Sequence, residues 1–542
     1  MTAWTGTWRL ARLALRRDRI MLPVWIVGIT LLTWAGVQGV ASAYASEAER
    51  AAGAAFAAAN TATRIFDGPA SGTDIGSMAM VETLGKLAIY VALMSGQAII
   101  RHTRREEETG RAELVGASVV GRYARLTAAL VVAVGASVVL GACVSAVIAA
   151  NHLPWGGSLL AGATIAGVGV CFAGIAAVAA QVATTQRGSN AIVGAALGVA
   201  FVLRATGDAL GTLADGGVRV VSAWPSWLSP IGWAQQVRAF DQDNWGVLAL
   251  FGALTVALVA VAYALTSRRD LGAGMVRERS GPASAPAALL SPFGLAWRLQ
   301  RMQLLAWVCA AACWSAPLGA LGDSANDMAD ASAQLRQLLE AIAPGASIVD
   351  LYFAYVMGLL GIVAAAYTVQ ALLRMRTEEA TGRLEPLLSA AVGRRRWLAS
   401  HAMIAATGSL VVLFVSGVSG AVGYWGATGD LGGAMTVIGA AMVYVPAVLV
   451  IGAFVITAFA LVPRWAPAIA WFSLAAVLTV SQFGDTFDLP QWALNVSPFT
   501  HVPLVPAREL TLEPLFWLVG AAAALVIVAF AAFRRRDLAI AA

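Results

Sequence analysis

A chain of 542 residues with 59% hydrophobic residues, 12% charged residues and a mean hydropathy of +0.74 cannot be an ordinary soluble domain, which carries roughly a quarter charged residues. The net charge of +6 is carried almost wholly by arginine, with Lys86 the single lysine; a GC-rich bacterial genome explains that bias, and no nucleic-acid partner is expected. The 54 glycines would be costly in soluble helices but suit membrane helices that approach closely through small residues.

In chain order, residues 2–19 come first, with Trp4, Trp8, Ala11 and Leu15 at helical spacing and Arg9, Arg12, Arg16 and Arg19 on a second stripe. That is the pattern of an amphipathic helix lying in the membrane surface. Apolar spans follow at 20–43, 84–100, 126–150, 158–182, 191–207 and 245–266. The first is too long for a signal peptide and lacks a small-residue cleavage site, so an uncleaved anchor is expected. A weaker copy of the amphipathic helix, 291–301 with Trp297, Arg298 and Arg301, precedes spans at 302–322, 351–373, 399–425, 433–462, 468–483 and 514–533. Crossing a bilayer takes about 20 residues at helical rise. The expected fold class is therefore an all-α polytopic membrane protein of about 12 transmembrane helices in two parallel six-helix repeats.

Placing the N-terminus inside gives cytoplasmic segments 28 of the 36 Lys and Arg residues but only 11 of the 30 Asp and Glu residues. The positive-inside rule then sets both termini in the cytoplasm of a bacterial plasma membrane. Two outer segments, 44–80 and 208–244, exceed hairpin length and have counterparts at 323–350 and 484–513. Short helices on or in the outer leaflet are expected there, since Trp224, Trp227, Trp233 and Trp492 are interface residues.

The halves repeat each other. Glu106-Glu107-Glu108-Thr109-Gly110-Arg111-Ala112-Glu113 aligns with Glu378-Glu379-Ala380-Thr381-Gly382-Arg383-Leu384-Glu385, and Val120-Gly121-Arg122 with Val392-Gly393-Arg394. Each half ends alike, at Arg268-Arg269-Asp270-Leu271 and Arg535-Arg536-Asp537-Leu538, and carries Ser229-Pro230 or Ser497-Pro498 before its last span. An even number of spans per half makes the repeats parallel, with domains at 1–282 and 283–542 and a flexible linker at Gly281-Pro282-Ala283-Ser284-Ala285-Pro286. The two Glu-rich loops, 101–125 and 374–397, interrupt the basic inner face twice, and an acidic cluster kept twice calls for a cytoplasmic partner.

These residues resemble the coupling-helix region of membrane subunits of ABC-2 class ABC exporters. Leu13-Ala14-Leu15-Arg16-Arg17-Asp18-Arg19, Leu228-Ser229-Pro230-Ile231-Gly232-Trp233 and Arg268-Arg269-Asp270-Leu271 more narrowly resemble the double-length polyketide-antibiotic (tetronasin-type) exporters, over essentially the whole chain. The resemblance implies docking of a separate ATPase at Glu106, Glu107, Gly110, Arg111 and Glu113 and at Glu378, Glu379, Gly382, Arg383 and Glu385. Two loops imply two ATPase copies, with ATP and Mg2+ bound in that partner, and export of a lipophilic, antibiotic or drug-like compound. The departures at Glu108 against Ala380 and Leu114 against Pro386 allow two inequivalent docking sites.

No ATPase is expected in this chain, because a phosphate-binding loop needs Gly-x-x-x-x-Gly-Lys and Lys86 has Met80 where the first Gly belongs. No catalytic constellation or zinc-site spacing stands out, so neither an enzyme nor a resident metal is expected. Cys143, Cys171, Cys309 and Cys313, and His102, His152, His401 and His501, read as packing residues. The rival reading is a proton-coupled secondary transporter of the major-facilitator type. It usually needs a carboxylate in the bilayer, where a charge costs about 2.5 to 3.5 kcal/mol, and no span centre has one. Arg204 with Asp208, and Glu82 with Lys86, lie four apart near outer span ends. They are read as neighbours that pair and snorkel, or as a weak candidate substrate path. Gln97, Gln181 and Gln370 lie deeper and suit bonds between helices.

Overall fold

The computed structural model describes residues 2–69, 71–214, 217–270, 272–275, 283–322, 345–390, 392–483 and 490–538. Backbone polar groups in lipid must be satisfied within their own segment, so apolar runs of this length fold as helices. Eleven helices among the described residues are long and apolar enough to cross a membrane. The remaining expected span, 468–483, forms the helix Ala466–Phe483 of 18 residues, whose apolar stretch is shorter than the others. The chain divides into two compact units, Met1–Ser280 and Gly281–Ala542. Leu271, Gly281, Pro282 and the outer stretches 323–344 and 484–489 lie outside the described residues.

The first unit is built around its second span, Ile75–His102, on which Ala88, Val91, Met94, Ala98 and Ile99 have no exposed surface. This helix begins nine residues before the expected span, because its first turns carry Ser77 and Thr83 facing protein rather than lipid. Spans Ala124–Ala150 and Trp155–Val182 cross with backbones in contact: a Cβ on Gly141 would stand 2.5 Å from the Gly162 carbonyl oxygen. By contrast, Val24, Val27, Leu31 and Trp34 of Met21–Ala43 are at least half exposed, the composition of a surface solvated by lipid.

The second unit repeats this order around Ile348–Ala380, with Met357, Tyr367 and Met375 fully buried. Pro292–Leu321 packs on Arg394–Thr428 through Gly319, Gly420 and Gly423, none of which has room for a Cβ. The expected span 433–462 is two helices, Leu431–Met442 and Val445–Leu461, broken beside Pro446, which lacks the N–H a continuous helix would use. The copy of the amphipathic helix expected at 291–301 is not a separate element but the first turns of Pro292–Leu321, started by Ser291 Oγ accepting the Gly294 N–H at 3.0 Å. In the first unit the equivalent helix, Thr7–Arg17, is separated from its span at Asp18.

The long connecting segments do hold short elements. Glu47–Ala59 and Thr61–Phe66 occupy the first, and a hairpin of Thr212–Leu213 with Val220–Val221, the turn Trp224–Leu228 and the helix Pro230–Gln236 occupy the second. Ser229 starts the last of these by accepting the Ile231 and Gly232 N–H groups, and Ser497 does the same for Phe499. The repeated Ser-Pro is thus a helix cap.

Candidate functional site

The second span of the first unit ends at His102, where Thr103 leaves helical geometry and a five-residue helix, Arg104–Glu108, begins. Gly110 then adopts φ +71°, a left-handed conformation that favours glycine, and Arg111–Gly116 follows as a second short helix. Glu107 lies at the centre of this corner. Arg269 Nη2 and Nη1 donate to its two carboxylate oxygens at 2.6 and 2.8 Å, Arg104 Nη1 donates at 2.9 Å, and Arg125 stands 3.7 Å away. Arg104 also donates to the Ala180 and Ala273 carbonyls, and Arg269 Nε to the Gln181 side chain at 2.7 Å. Arg122 Nη2 reaches the Arg269 carbonyl at 3.3 Å.

The second unit builds the same corner at the same relative positions. Gly382 again has φ +71° and Leu384–Ser389 follows it. Arg536 Nη2 donates to Glu379 at 3.1 Å while its Nη1 lies 3.0 Å from the other carboxylate oxygen, Arg376 lies 3.8 Å away, and Arg394 Nη1 donates to the Arg536 carbonyl at 2.5 Å. Trp397 stands where the first unit has Arg125, stacked on Phe533 with ring centroids 5.6 Å apart. Glu378 pairs with Arg374 at 3.3 Å and His401 at 3.5 Å, and the Gln300 amide donates to the other His401 nitrogen at 3.1 Å.

Three of the four motifs that recur in sequence therefore meet in space, once in each unit. Of the candidate docking residues, Glu107, Glu378 and Glu379 are turned inward and bound, and Glu106 pairs with Arg17 at 2.9 Å and faces Arg111 at 3.8 Å. Gly110 and Gly382 form the turns. The surface left outside consists of Arg111 and Glu113 with Leu114, which is 77% exposed, and of Arg383 and Glu385 with Pro386. Sequence analysis gave no site role to Arg104, Arg269, Arg376 and Arg536; the signal was present in the matched Arg-Arg-Asp at the end of each half, whose arginines are opposite in sign to the matched Glu pair.

The N-terminal helix Thr7–Arg17 buries Ala11 and Ala14 and leaves Trp4, Trp8 and Leu15 exposed beside Arg9, Arg12, Arg16 and Arg19. It is pinned at both ends to the loop it precedes. The Gly121 and Tyr123 N–H groups donate to the Thr5 and Ala3 carbonyls, each at 2.9 Å. At the other end, fully buried Asp18 takes Arg101 at 3.1 Å and His102 Nε2 at 2.5 Å.

At the opposite end of the first unit, Arg204 and Asp208 do not snorkel: both side chains are fully buried, 3.5 Å apart. Arg204 donates to the Arg64, Ile65 and Phe66 carbonyls at 3.2, 2.8 and 2.9 Å, closing the end of Thr61–Phe66, and Asp208 accepts from Ser222 and Ser226. Lys86 reaches Asp67 at 3.0 Å rather than Glu82. Nearby, burial raises the Tyr44 phenol above its usual range, with the Glu82 and Asp67 carboxylates adding to the shift. Arg204, Asp208 and Lys86 thus fasten the connecting segments to the spans. Gln370 bonds between helices, accepting from Trp307 and Gln303 at 2.6 and 3.1 Å. Among the described residues no group of three or more His, Cys, Asp or Glu side chains forms a candidate metal site.

Residues 289–534 match a sequence-family model described as the multidrug efflux system permease Rv1217c, C-terminal domain. Over 539 residues, 99% of this chain and 96% of the relative, the sequence is 38% identical to the multidrug efflux system permease protein Rv1217c of Mycobacterium tuberculosis (strain ATCC 25618 / H37Rv).

Proposed function

Because the chain belongs to the family of the multidrug efflux system permease Rv1217c, we propose that it is the membrane subunit of an ABC-2 class exporter that expels lipophilic, drug-like compounds across a bacterial plasma membrane. The narrower likeness is to the double-length, tetronasin-type exporters. Energy enters through two copies of a separate cytoplasmic ATPase, which bind ATP and Mg2+, and the distribution of arginine puts both termini and both Glu-rich loops on their side of the membrane.

One observation carries this reading: each Glu-rich loop is fastened by a buried carboxylate to the end of its unit's last span while its tip, Arg111 to Leu114 or Arg383 to Pro386, stays exposed. A partner that grips the tip moves a rigid corner rather than a floppy loop. The Glu107–Arg269 and Glu379–Arg536 pairs then carry that movement into the spans. The work done on substrate is the difference in the partner's affinity for two arrangements of the spans.

Co-expression with an ABC ATPase tests the assignment. Changing Glu113→Arg and Glu385→Arg together, both on exposed side chains, is expected to abolish ATPase co-purification and drug export while membrane insertion is retained. Unaltered association overturns the docking assignment. Export driven in vesicles by a pH gradient without any ATPase favours the secondary-transporter mechanism instead.

A further inference from the structure

At the Glu107 corner Arg104, Arg125 and Arg269 are consumed by partners, and even Arg17 at the end of the N-terminal helix pairs with Glu106. Four arginines of the N-terminal segment are different. Arg9, Arg12, Arg16 and Arg19 are exposed, and none has an ion pair among the described residues. At 100° per residue, Arg9, Arg12 and Arg16 fall within one 60° sector of the helix. Trp8 and Leu15, 66% and 49% exposed, lie along its edge on the side away from Arg9. An exposed apolar edge beside an uncompensated cationic stripe is complementary to one surface, the boundary between acyl chains and anionic headgroups.

We propose that this stripe is a binding surface for anionic phospholipid, with Trp8 and Leu15 entering the acyl boundary and the arginines taking the phosphate groups. What gives the site a consequence is its mounting. The helix is held at its start by Gly121 and Tyr123 and at its end by Arg101, His102 and Glu106, the two limits of the Glu-rich loop. Lipid bound on its outer face therefore fixes the height of that loop against the membrane. The second unit lacks this device: its equivalent turns run straight into the span and carry only Arg298 and Arg301.

The lipid contact does not depend on the exporter reading, and its test reads binding without any ATPase. The full chain, purified in neutral detergent, is unfolded thermally with dioleoylphosphatidylglycerol, with dioleoylphosphatidylcholine or with inorganic phosphate. Phosphatidylglycerol is expected to raise Tm well beyond phosphatidylcholine, and high salt to shrink the difference. The Arg9→Gln/Arg12→Gln/Arg16→Gln variant is expected to lose most of that excess while matching wild type in phosphatidylcholine; the corresponding Lys variant retains it. Equal shifts from the two lipids, a full excess in the Gln variant, or an equal shift from phosphate alone each overturn the proposal. Should the Gln variant fail to fold, the salt series on the wild-type chain decides alone.

Discussion

Glu107 keeps only 4% of its side chain exposed among three arginines, and removing its charge would leave those guanidiniums buried without compensation. Breaking one partner of a buried ion pair destabilises by about 3 to 5 kcal/mol, far more than the pair itself contributes over an apolar replacement. Glu107→Gln keeps the shape and is expected to lower the unfolding free energy by about that amount, read as a drop in Tm for the detergent-solubilised chain. Exchanging the partners, Glu107→Arg with Arg269→Glu, is expected to recover part of the loss. Glu379→Gln is expected to lower Tm as well, since Arg536 and Arg376 lie against its buried carboxylate, with Trp397 standing where the first unit has Arg125. A clamp present for fold stability alone would lower Tm without changing drug-stimulated nucleotide hydrolysis; a clamp that carries motion uncouples the two in the variants that still fold.

Among the elements, the N-terminal helix depends on one glycine. A Cβ on Gly121 would fall inside the Ala3 backbone, so Gly121→Ala must push the N-terminal segment off the two hydrogen bonds that hold it. The expected outcome is trypsin cleavage at Arg9 and Arg12 in the folded chain, absent from wild type and from the control Gly116→Ala, whose new methyl meets open space. Apart from the split of 433–462 beside Pro446 and the continuation of 291–301 into its span, which spanning helices exist was legible in the sequence, because a run of about 20 apolar residues admits only a helix in lipid. Their ends were not. Ile75–His102 starts early because Ser77 and Thr83 pack against protein, and a hydropathy window cannot tell a polar residue facing a neighbouring helix from one facing water. The clamps were hidden for another reason: Glu107 and Arg269 are 162 residues apart and Glu379 and Arg536 are 157 apart, so no local period joins them. What sequence did hold was their recurrence, and two motifs that recur together in both halves are candidates for contact before any fold is known. The stripe Trp4, Trp8, Ala11, Leu15 was half legible: the spacing is helical, but Ala11 belongs to the buried face with Ala14, and the two Trp side chains lie outside.

For the whole molecule the decisive quantity is which end of each unit faces the cell interior, since docking, lipid charge and direction of transport all follow from it. The Glu-rich corners and the Arg204–Asp208 cluster lie at opposite ends of the first unit: the helix Gln186–Ala209 receives Glu108 at its first residue and carries Arg204 in its last turns. The end with the corners holds Arg101, Arg104, Arg105, Arg111, Arg122 and Arg125 within one loop, whereas Trp224 and Trp227 mark the other as an interface of the aromatic kind. Translocating six guanidiniums through hydrocarbon is far costlier than leaving them where they are made, so the corners are expected on the inner side. In a background with Cys143, Cys171, Cys309 and Cys313 changed to Ala, single Glu113→Cys, Glu385→Cys and Trp224→Cys substitutions sit on exposed positions. A membrane-impermeant maleimide is expected to label Trp224→Cys in intact cells and to label Glu113→Cys and Glu385→Cys only after permeabilisation. Agreement between the two Glu positions matters as much as their side, because a parallel duplication must put both corners on the same face. If Glu113→Cys and Glu385→Cys were labelled from opposite sides, one unit would be inverted, and no pair of cytoplasmic ATPases could serve both loops.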